Sequence, residues 1–226
     1  MENITTMDLS PIWVSLKTAT VATFLTFFLG VSIAYWMAGY QGRGKNIIDG
    51  LLVVPLVLPP TVIGFGLLML LGKHGPVGKM LYHFGYSIIF SWPATVIAAV
   101  VVAFPLMYQT ARGAFEQIEP NIINAAYTLG VSKRKVFWRI IVPLAWPGIV
   151  AGIILSFARA LGEFGATLML AGNIPGRTQT IPIAIYFANA AGETEKALIW
   201  VVIVLTISLT SVLGLNYWRS YQSYRR

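Results

Sequence analysis

The sequence predicts an all-α polytopic membrane protein with five membrane-spanning helices. Of its 226 residues, 57% are hydrophobic and 11% are charged, and the mean hydropathy is +0.73. Soluble globular domains carry about 25% charged residues, so this composition lies outside their range. Several apolar runs also reach the roughly 20 residues that a helix needs to cross a bilayer.

The five predicted spans form one transmembrane domain over residues 1–226. They cover approximately residues 13–38, 51–71, 88–111, 142–168 and 197–218. In the second span, Pro55, Pro59 and Pro60 must bend or unwind the helix, because proline removes a backbone donor and clashes with the preceding turn. Freed backbone in lipid must be covered by protein or water. The second span is therefore either a kinked structural helix or a helix that lines a pathway.

Lysine and arginine predict the orientation of these spans. With five alternating spans, ten basic residues fall on one side of the membrane and five on the other. Cytoplasmic loops are enriched in basic residues, so the first side is predicted to be cytoplasmic, with the N-terminus outside and the C-terminus inside. The ten residues are Arg43, Lys45, Arg112, Lys133, Arg134, Lys135, Arg139, Arg219, Arg225 and Arg226.

A polar and basic block, residues 124–143, separates two long apolar runs. A short helix is predicted to begin at Pro120 and to run into this block. It ends at Gly130, because glycine tolerates the left-handed conformation that closes a helix. A second, amphipathic and basic helix is predicted at roughly 133–141. From its residues alone, the block either lies on anionic lipid headgroups or docks on a partner protein.

Residues 124–143 resemble the cytoplasmic loop of the integral membrane subunits of binding-protein-dependent ABC importers, known as the EAA motif. Asn124 stands where that family has Glu, and Val142 replaces its usual Leu. The family spacing is matched by Ala125, Ala126, Gly130, Ile140, Val142 and Pro143. The resemblance implies that the loop at about 112–141 couples the permease to an ATPase. It implies coupling roles for Asn124, Ala125, Ala126, Gly130 and Pro143.

Three further segments, 55–60, 158–167 and 173–182, resemble the molybdate permease branch of that family. The resemblance implies a homodimer around a central path, two cytoplasmic ABC ATPase subunits, an extracytoplasmic molybdate-binding protein and a bacterial cytoplasmic membrane whose lipid surrounds the spans. It implies a transport subunit that is not itself an enzyme and needs no cofactor. Tungstate and sulfate or thiosulfate permeases are the alternatives, because they are similar near Arg159 and Glu163.

Arg159 and Glu163 fall inside the fourth predicted span. Residues four apart share one helix face and can pair, and an ionisable residue in lipid normally faces the protein interior with a partner. The two residues are either a neutralised structural pair or part of the path or gate. In the second case Arg159 attracts an oxyanion, and Glu163 weakens the binding of that anion to Arg159. Gly162 and Gly165 let the helix break or a neighbour approach closely.

Other protein classes fit the sequence less well. The basic residues form short clusters and no continuous stripe, so nucleic acid is not a predicted partner. The chain has no cysteine, and His74 and His83 lie apart, so no metal site is predicted. An ion-coupled secondary anion transporter is the main rival class. Such carriers usually hold several intramembrane carboxylates and internal repeats, whereas Glu163 is the one candidate here.

Overall fold

The computed structural model describes residues 8–223, except for the side chains of residue 212 and residues 215–223. Every regular element within this range is helical, and the predicted all-α class is confirmed. The helices are α1 Ser10–Gly39, α2 Lys45–Val57, α3 Pro60–Leu71, α4 Pro76–His83, α5 Trp92–Glu116, α6 Pro120–Thr128, α7 Lys133–Val136, α8 Val142–Leu161, α9 Gly165–Ala171, α10 Ile181–Ala190 and α11 Thr194–Ser223.

Among the described residues, four helical runs are long and apolar enough to cross a membrane. They are α1, α5, the run Lys133–Leu161 that contains α7 and α8, and the Thr194–Ser211 part of α11. Helices α2 and α3 make a fifth candidate only as a bent pair. The chain is therefore a polytopic membrane protein, and the orientation of its termini stays a prediction.

The second predicted span consists of two helices that meet at 110°. Helix α2 begins at Lys45, earlier than expected, and the turn falls at Leu58 and Pro59, which both have extended backbone conformations. The physical reason is the Pro59-Pro60 pair, because a proline drives the preceding residue out of the helical region. We refer to this turn, residues 58–59, as the elbow.

The fourth predicted span differs from the expectation of 142–168 at both ends. It starts at Lys133, because a π-helical turn, Phe137–Ile141, joins α7 to α8 without a break. There the Val142 N–H donates to the carbonyl of Phe137, five residues back. Pro143 has no N–H to bond the preceding turn, and the wider turn accommodates it. At the other end α8 stops at Leu161 and α9 begins after three residues.

The predicted coupling loop, 112–141, is correspondingly shorter than expected. Helix α5 continues through it as far as Glu116, and residues 133–141 are the beginning of the fourth span instead of a separate helix. The segment between these two long helices therefore holds one helix, α6.

Helices α1, α5 and α8 form the centre of the bundle. Small residues line their contacts: an added Cβ at Gly148 of α8 would lie 2.5 Å from the Cβ of Ala114 on α5. Small residues are typical of such interfaces, since in lipid helices associate through close van der Waals packing. Helix α3 packs on α9, and α10 packs on α11 and α1. The Ile181 N–H of α10 donates to Ser15 Oγ of α1 at 2.7 Å.

Candidate functional site: a coupling helix and two charged clusters

Helix α6 begins and ends at residues whose backbone preferences fix its length. Pro120 occupies its first turn, where the missing N–H costs nothing. At the other end Gly130 has a φ of +75°. Its N–H donates to the carbonyl of Tyr127 at 2.9 Å, and the Val131 N–H donates to that of Ala126 at 3.1 Å. These two bonds form a Schellman cap. The helix therefore ends at Gly130, as the sequence predicts.

The predicted coupling residues do not share one environment. Asn124, Ala125 and Gly130 are exposed, whereas Ala126 is buried. Pro143 is exposed but lies in the first turn of α8, not on α6. The structure thus places four of the five residues on α6 or its cap, and one on the span that follows.

Buried Ala126 attaches α6 to the bundle. It belongs to one hydrophobic cluster with Phe115 at the end of α5, and with Val136 and Ile141 of the following helical run. Other apolar side chains of α6 and its cap are exposed: Ile122 and Tyr127 are each 42% exposed, and the C-cap residue Leu129 is 82% exposed. Helix α6 is therefore attached to the bundle at Ala126 and exposes apolar side chains beside that attachment.

A second group of residues, the Arg112 cluster, lies where α2 meets the end of α5. Arg112 donates to the carboxylates of Asp49 on α2 and Glu116 on α5, the latter at 2.9 Å. The hydroxyl of buried Tyr108 donates to Asp49 at 2.7 Å, and Lys45 lies 3.4 Å from Glu116. The Arg112 cluster thus balances two cations against two carboxylates.

Sequence reasoning missed the Arg112 cluster. Asp49 and Arg112 are 63 positions apart, and their pairing depends on how α2 folds against α5. The signal available in the sequence was an isolated carboxylate, Asp49, just before a long apolar run, together with the four-residue spacing of Arg112 and Glu116.

A groove of about 700 Å³ connects α6 with the Arg112 cluster. We call it the α6 groove. Its walls include Asn124 and Tyr127 of α6, Lys45 and Glu116 of the Arg112 cluster, and aromatic side chains from the end of α1 such as Trp36. Helix α6 and the Arg112 cluster therefore border the same space.

Arg159 and Glu163 form an ion pair of 2.8 Å, although they do not share a continuous helix. Glu163 lies in the break after α8, is 2% exposed, and also accepts the Ala166 N–H of α9 at 2.7 Å. Its carboxylate therefore joins the two helices across the break. Arg159 is 27% exposed along its side chain, and among the described residues Glu163 is its one hydrogen-bonding partner.

The two glycines beside this pair have different surroundings. An added Cβ at Gly165 would lie 3.1 Å from Pro60 Cβ and 3.2 Å from Thr61 N, and one at Gly64 would lie 2.7 Å from Ala166 Cα. Gly64 and Gly165 therefore allow α3 and α9 to touch. Gly162 caps α8 at an ordinary φ of −86° with space for a side chain. Of the two roles predicted for these glycines, Gly165 therefore allows the close approach of a neighbouring helix, and Gly162 lies at the helix break.

A bundle of membrane spans with one exposed helix between two of them defines the class of polytopic membrane proteins to which the chain belongs. A crystal structure of a bacterial ABC transporter involved in the import of the acidic polysaccharide alginate has the same fold, with a TM-score of 0.75. The match covers 92% of this chain and 77% of that chain at 16% identity, a level that concerns fold alone.

The chain belongs to the family of binding-protein-dependent transport system inner membrane components, which matches residues 27–218. YvgM of Bacillus subtilis (strain 168) is 49% identical over 200 residues, or 88% of each chain. The molybdenum transport system permease protein ModB of Haemophilus influenzae is 43% identical over 216 residues, or 95% of this chain and 94% of its own. The predicted family, transport role and inner-membrane location are confirmed.

Proposed function

We propose that this chain is the permease subunit of an ATP-driven importer that carries molybdate across the bacterial cytoplasmic membrane. One observation carries the proposal: a molybdenum transport permease is 43% identical to the chain over 95% of its length. The similarity to this permease therefore covers nearly the whole chain and is not confined to the three segments that resemble the molybdate branch.

ATP is hydrolysed in this proposal by separate cytoplasmic ABC ATPase subunits that dock on α6. Three exposed apolar side chains of α6 and its cap, Ile122, Tyr127 and Leu129, support this role, because exposed aromatic and aliphatic side chains are typical anchors of helix-in-groove contacts. The exposed Asn124, Ala125 and Gly130 lie on or beside the same helix. Closure of the ATPases shifts α6, and the helical run that starts at Lys133 passes this shift to the fourth span. It does so only if the closed ATPases bind α6 differently from the open ones.

Two copies of the chain pair around a central path, to which an extracytoplasmic binding protein delivers the anion. A groove of about 780 Å³ beside α5 and α8 supports this arrangement, because its lining includes the polar side chains of Gln109, Gln117 and Glu119. Contact between polar side chains and the lipid hydrocarbon is energetically unfavourable. The groove is therefore better covered by water or by the second copy, while the remaining apolar surface contacts lipid.

The sequence left open whether Glu163 and Arg159 have a structural role or belong to the path, and in this proposal each residue has one of these roles. Glu163 is buried and accepts bonds from two sides, which supports a structural role at the break with Gly162 and Gly165. Arg159 uses one of its nitrogens in that pair and is partly exposed. Its other N–H groups are therefore available to an oxyanion passing the break, and the paired carboxylate keeps that contact weak enough for release.

Uptake by the reconstituted complex tests the proposal. The permease, its ATPase and its binding protein are assembled in liposomes that enclose ATP, and molybdate accumulation is measured against tungstate, sulfate and thiosulfate as competitors. ATP-dependent molybdate uptake is expected. Preference for sulfate or thiosulfate would assign the chain to that permease class. Uptake driven by an ion gradient without the ATPase would make it a secondary transporter.

A further inference from the structure

We propose that Asp49 and Arg112 are positioning residues that make α2 follow the movement of the coupling helix and carry that movement to the break beside Arg159. The inference rests on the proposed function and adds a second route to the direct one through the fourth span. Four observations support it.

Helix α2 is attached to the bundle chiefly through α5. None of its 13 residues is buried, although three of its apolar side chains pack against the hydrophobic cluster that contains Tyr108. Its first turns are also held by polar contacts, since Asp49 accepts from Arg112 and Tyr108 while Lys45 lies beside Glu116. The Arg112 cluster therefore ties this end of α2 to α5 in addition to the apolar packing.

The charges of the Arg112 cluster are sheltered enough to act as a unit. The side chains of Arg112 and Asp49 are 20% and 31% exposed, so solvent screens their attraction less than at an open surface. Removal of Asp49 would leave Arg112 with Glu116 alone, and removal of Arg112 would take away the cation that Asp49 pairs with in a partly desolvated place. The cluster therefore favours one arrangement of α2 against α5.

The Arg112 cluster is connected to α6 in two ways. Lys45 and Glu116 border the α6 groove together with Asn124 and Tyr127. Phe115, next to Glu116 in sequence, is buried in the same hydrophobic cluster as Ala126 of α6. A shift of α6 therefore acts directly on the end of α5 that holds α2.

The far end of α2 reaches the break through the elbow. Beyond the elbow, α3 touches α9 backbone to backbone, with Gly64 against Ala166 and Gly165 against Thr61. Ala166 donates its N–H to Glu163, the partner of Arg159. In this proposal, α2 transmits movement from the Arg112 cluster to the Arg159–Glu163 pair. Packed contacts alone do not demonstrate coupling, so the experiment measures coupling itself.

The test measures molybdate uptake and ATP hydrolysis together in the reconstituted complex. Asp49→Asn keeps the shape of the side chain but removes its charge. It is expected to lower the molybdate transported per ATP by about tenfold, within the range of typical couplings between sites, while binding-protein-stimulated hydrolysis and copurification of the ATPase persist. A purely structural role would instead lower assembly and hydrolysis together with uptake.

Three further variants make the outcome decisive. If Asp49 and Arg112 act as a pair, the double variant Asp49→Asn with Arg112→Gln loses no more coupling than the worse single variant. Glu193→Gln is the matched control, because it removes the carboxylate of the exposed Glu193–Lys196 pair, and it should leave coupling unchanged. If Asp49→Asn does not assemble, Tyr108→Phe decides, since it removes one donor to Asp49 and keeps the ring.

The failures are distinguishable. A wild-type complex that takes up none of the tested oxyanions overturns the proposed function. Wild-type uptake with an unchanged transport-to-ATP ratio in Asp49→Asn, or in Tyr108→Phe where that variant decides, overturns the inference alone. Additive losses in the double variant overturn it as well.

Discussion

Gly130 holds the backbone conformation in the coupling segment that other residues resist. Its φ of +75° lies in the left-handed region, and no atom would lie within 4 Å of an added Cβ. A substitution there is therefore opposed by the backbone and not by crowding. Gly165 shows the reverse situation, in which an ordinary backbone is combined with close neighbours, since an added Cβ would lie only 3.1 Å from Pro60 Cβ.

Gly130→Val is expected to reduce molybdate uptake per ATP hydrolysed while the complex still assembles. The left-handed conformation costs an L-residue about 1–2 kcal/mol, and a β-branched residue resists it most, so the cap of α6 opens. Parallel uptake and hydrolysis measurements check this. Gly130→Asn is the matched control, because asparagine accepts the conformation, and it should retain most coupling. Normal coupling in the valine variant would mean that the cap does not transmit movement.

Glu163→Gln is expected to destabilise the purified permease by roughly 3 kcal/mol, because it leaves Arg159 without its buried counter-charge. The amide oxygen still accepts the Ala166 N–H, so the loss comes from the charge. Denaturation in detergent measures it. Glu193→Gln, in a pair whose side chains are about half exposed, should change stability by less than about 1 kcal/mol. Equal effects of the two substitutions would contradict a structural role for Glu163.

Among the elements, α6 combines a buried attachment to the bundle with exposed apolar side chains. Ala126 is fixed in the bundle, while Leu129, Tyr127 and Ile122 are exposed. The helical run that follows is continuous through the π-helical turn Phe137–Ile141. A displacement of α6 therefore reaches the fourth span over a short and regular connection.

Leu129→Asp is expected to weaken ATPase docking by about 2 kcal/mol, as truncation of an anchor residue typically does. Copurification of the ATPase and its binding to the permease in detergent check this. Phe84→Asp is the control, because Phe84 is 70% exposed but is predicted to lie on the opposite side of the membrane. Equal loss in both variants, or no loss in Leu129→Asp, would place the docking surface elsewhere.

Local signals made α6 predictable, whereas contacts between distant elements did not appear in the sequence. Pro120 and Gly130 mark the ends of α6 by their own backbone preferences. The prolines of the second span predicted a bend but not its angle of 110°, which depends on the packing of α3 against α9. The apolar stretch around Leu161 read as one span, because hydropathy does not register that Glu163 bonds across a helix break.

At the level of the whole molecule, energy input through α6 requires that this helix face the cytoplasm. The basic residues predict this orientation, and the exposed apolar side chains of α6 can meet a cytoplasmic ATPase only in this orientation. The Arg112 cluster and the α6 groove lie at the same end of the bundle as α6. In the proposed cycle, energy from ATP enters at this end and reaches the Arg159–Glu163 break through the fourth span and, in the further proposal, through α2.

Molybdate accumulation in liposomes that contain the wild-type permease or Leu129→Asp, with the ATPase, the binding protein and enclosed ATP, tests whether transport is energised through α6. ATP-dependent accumulation is expected for the wild type. Accumulation is expected to fall in Leu129→Asp while that permease remains folded in the membrane. Wild-type accumulation that needs no ATP, or that persists unchanged in Leu129→Asp, would contradict the claim that transport is energised through α6.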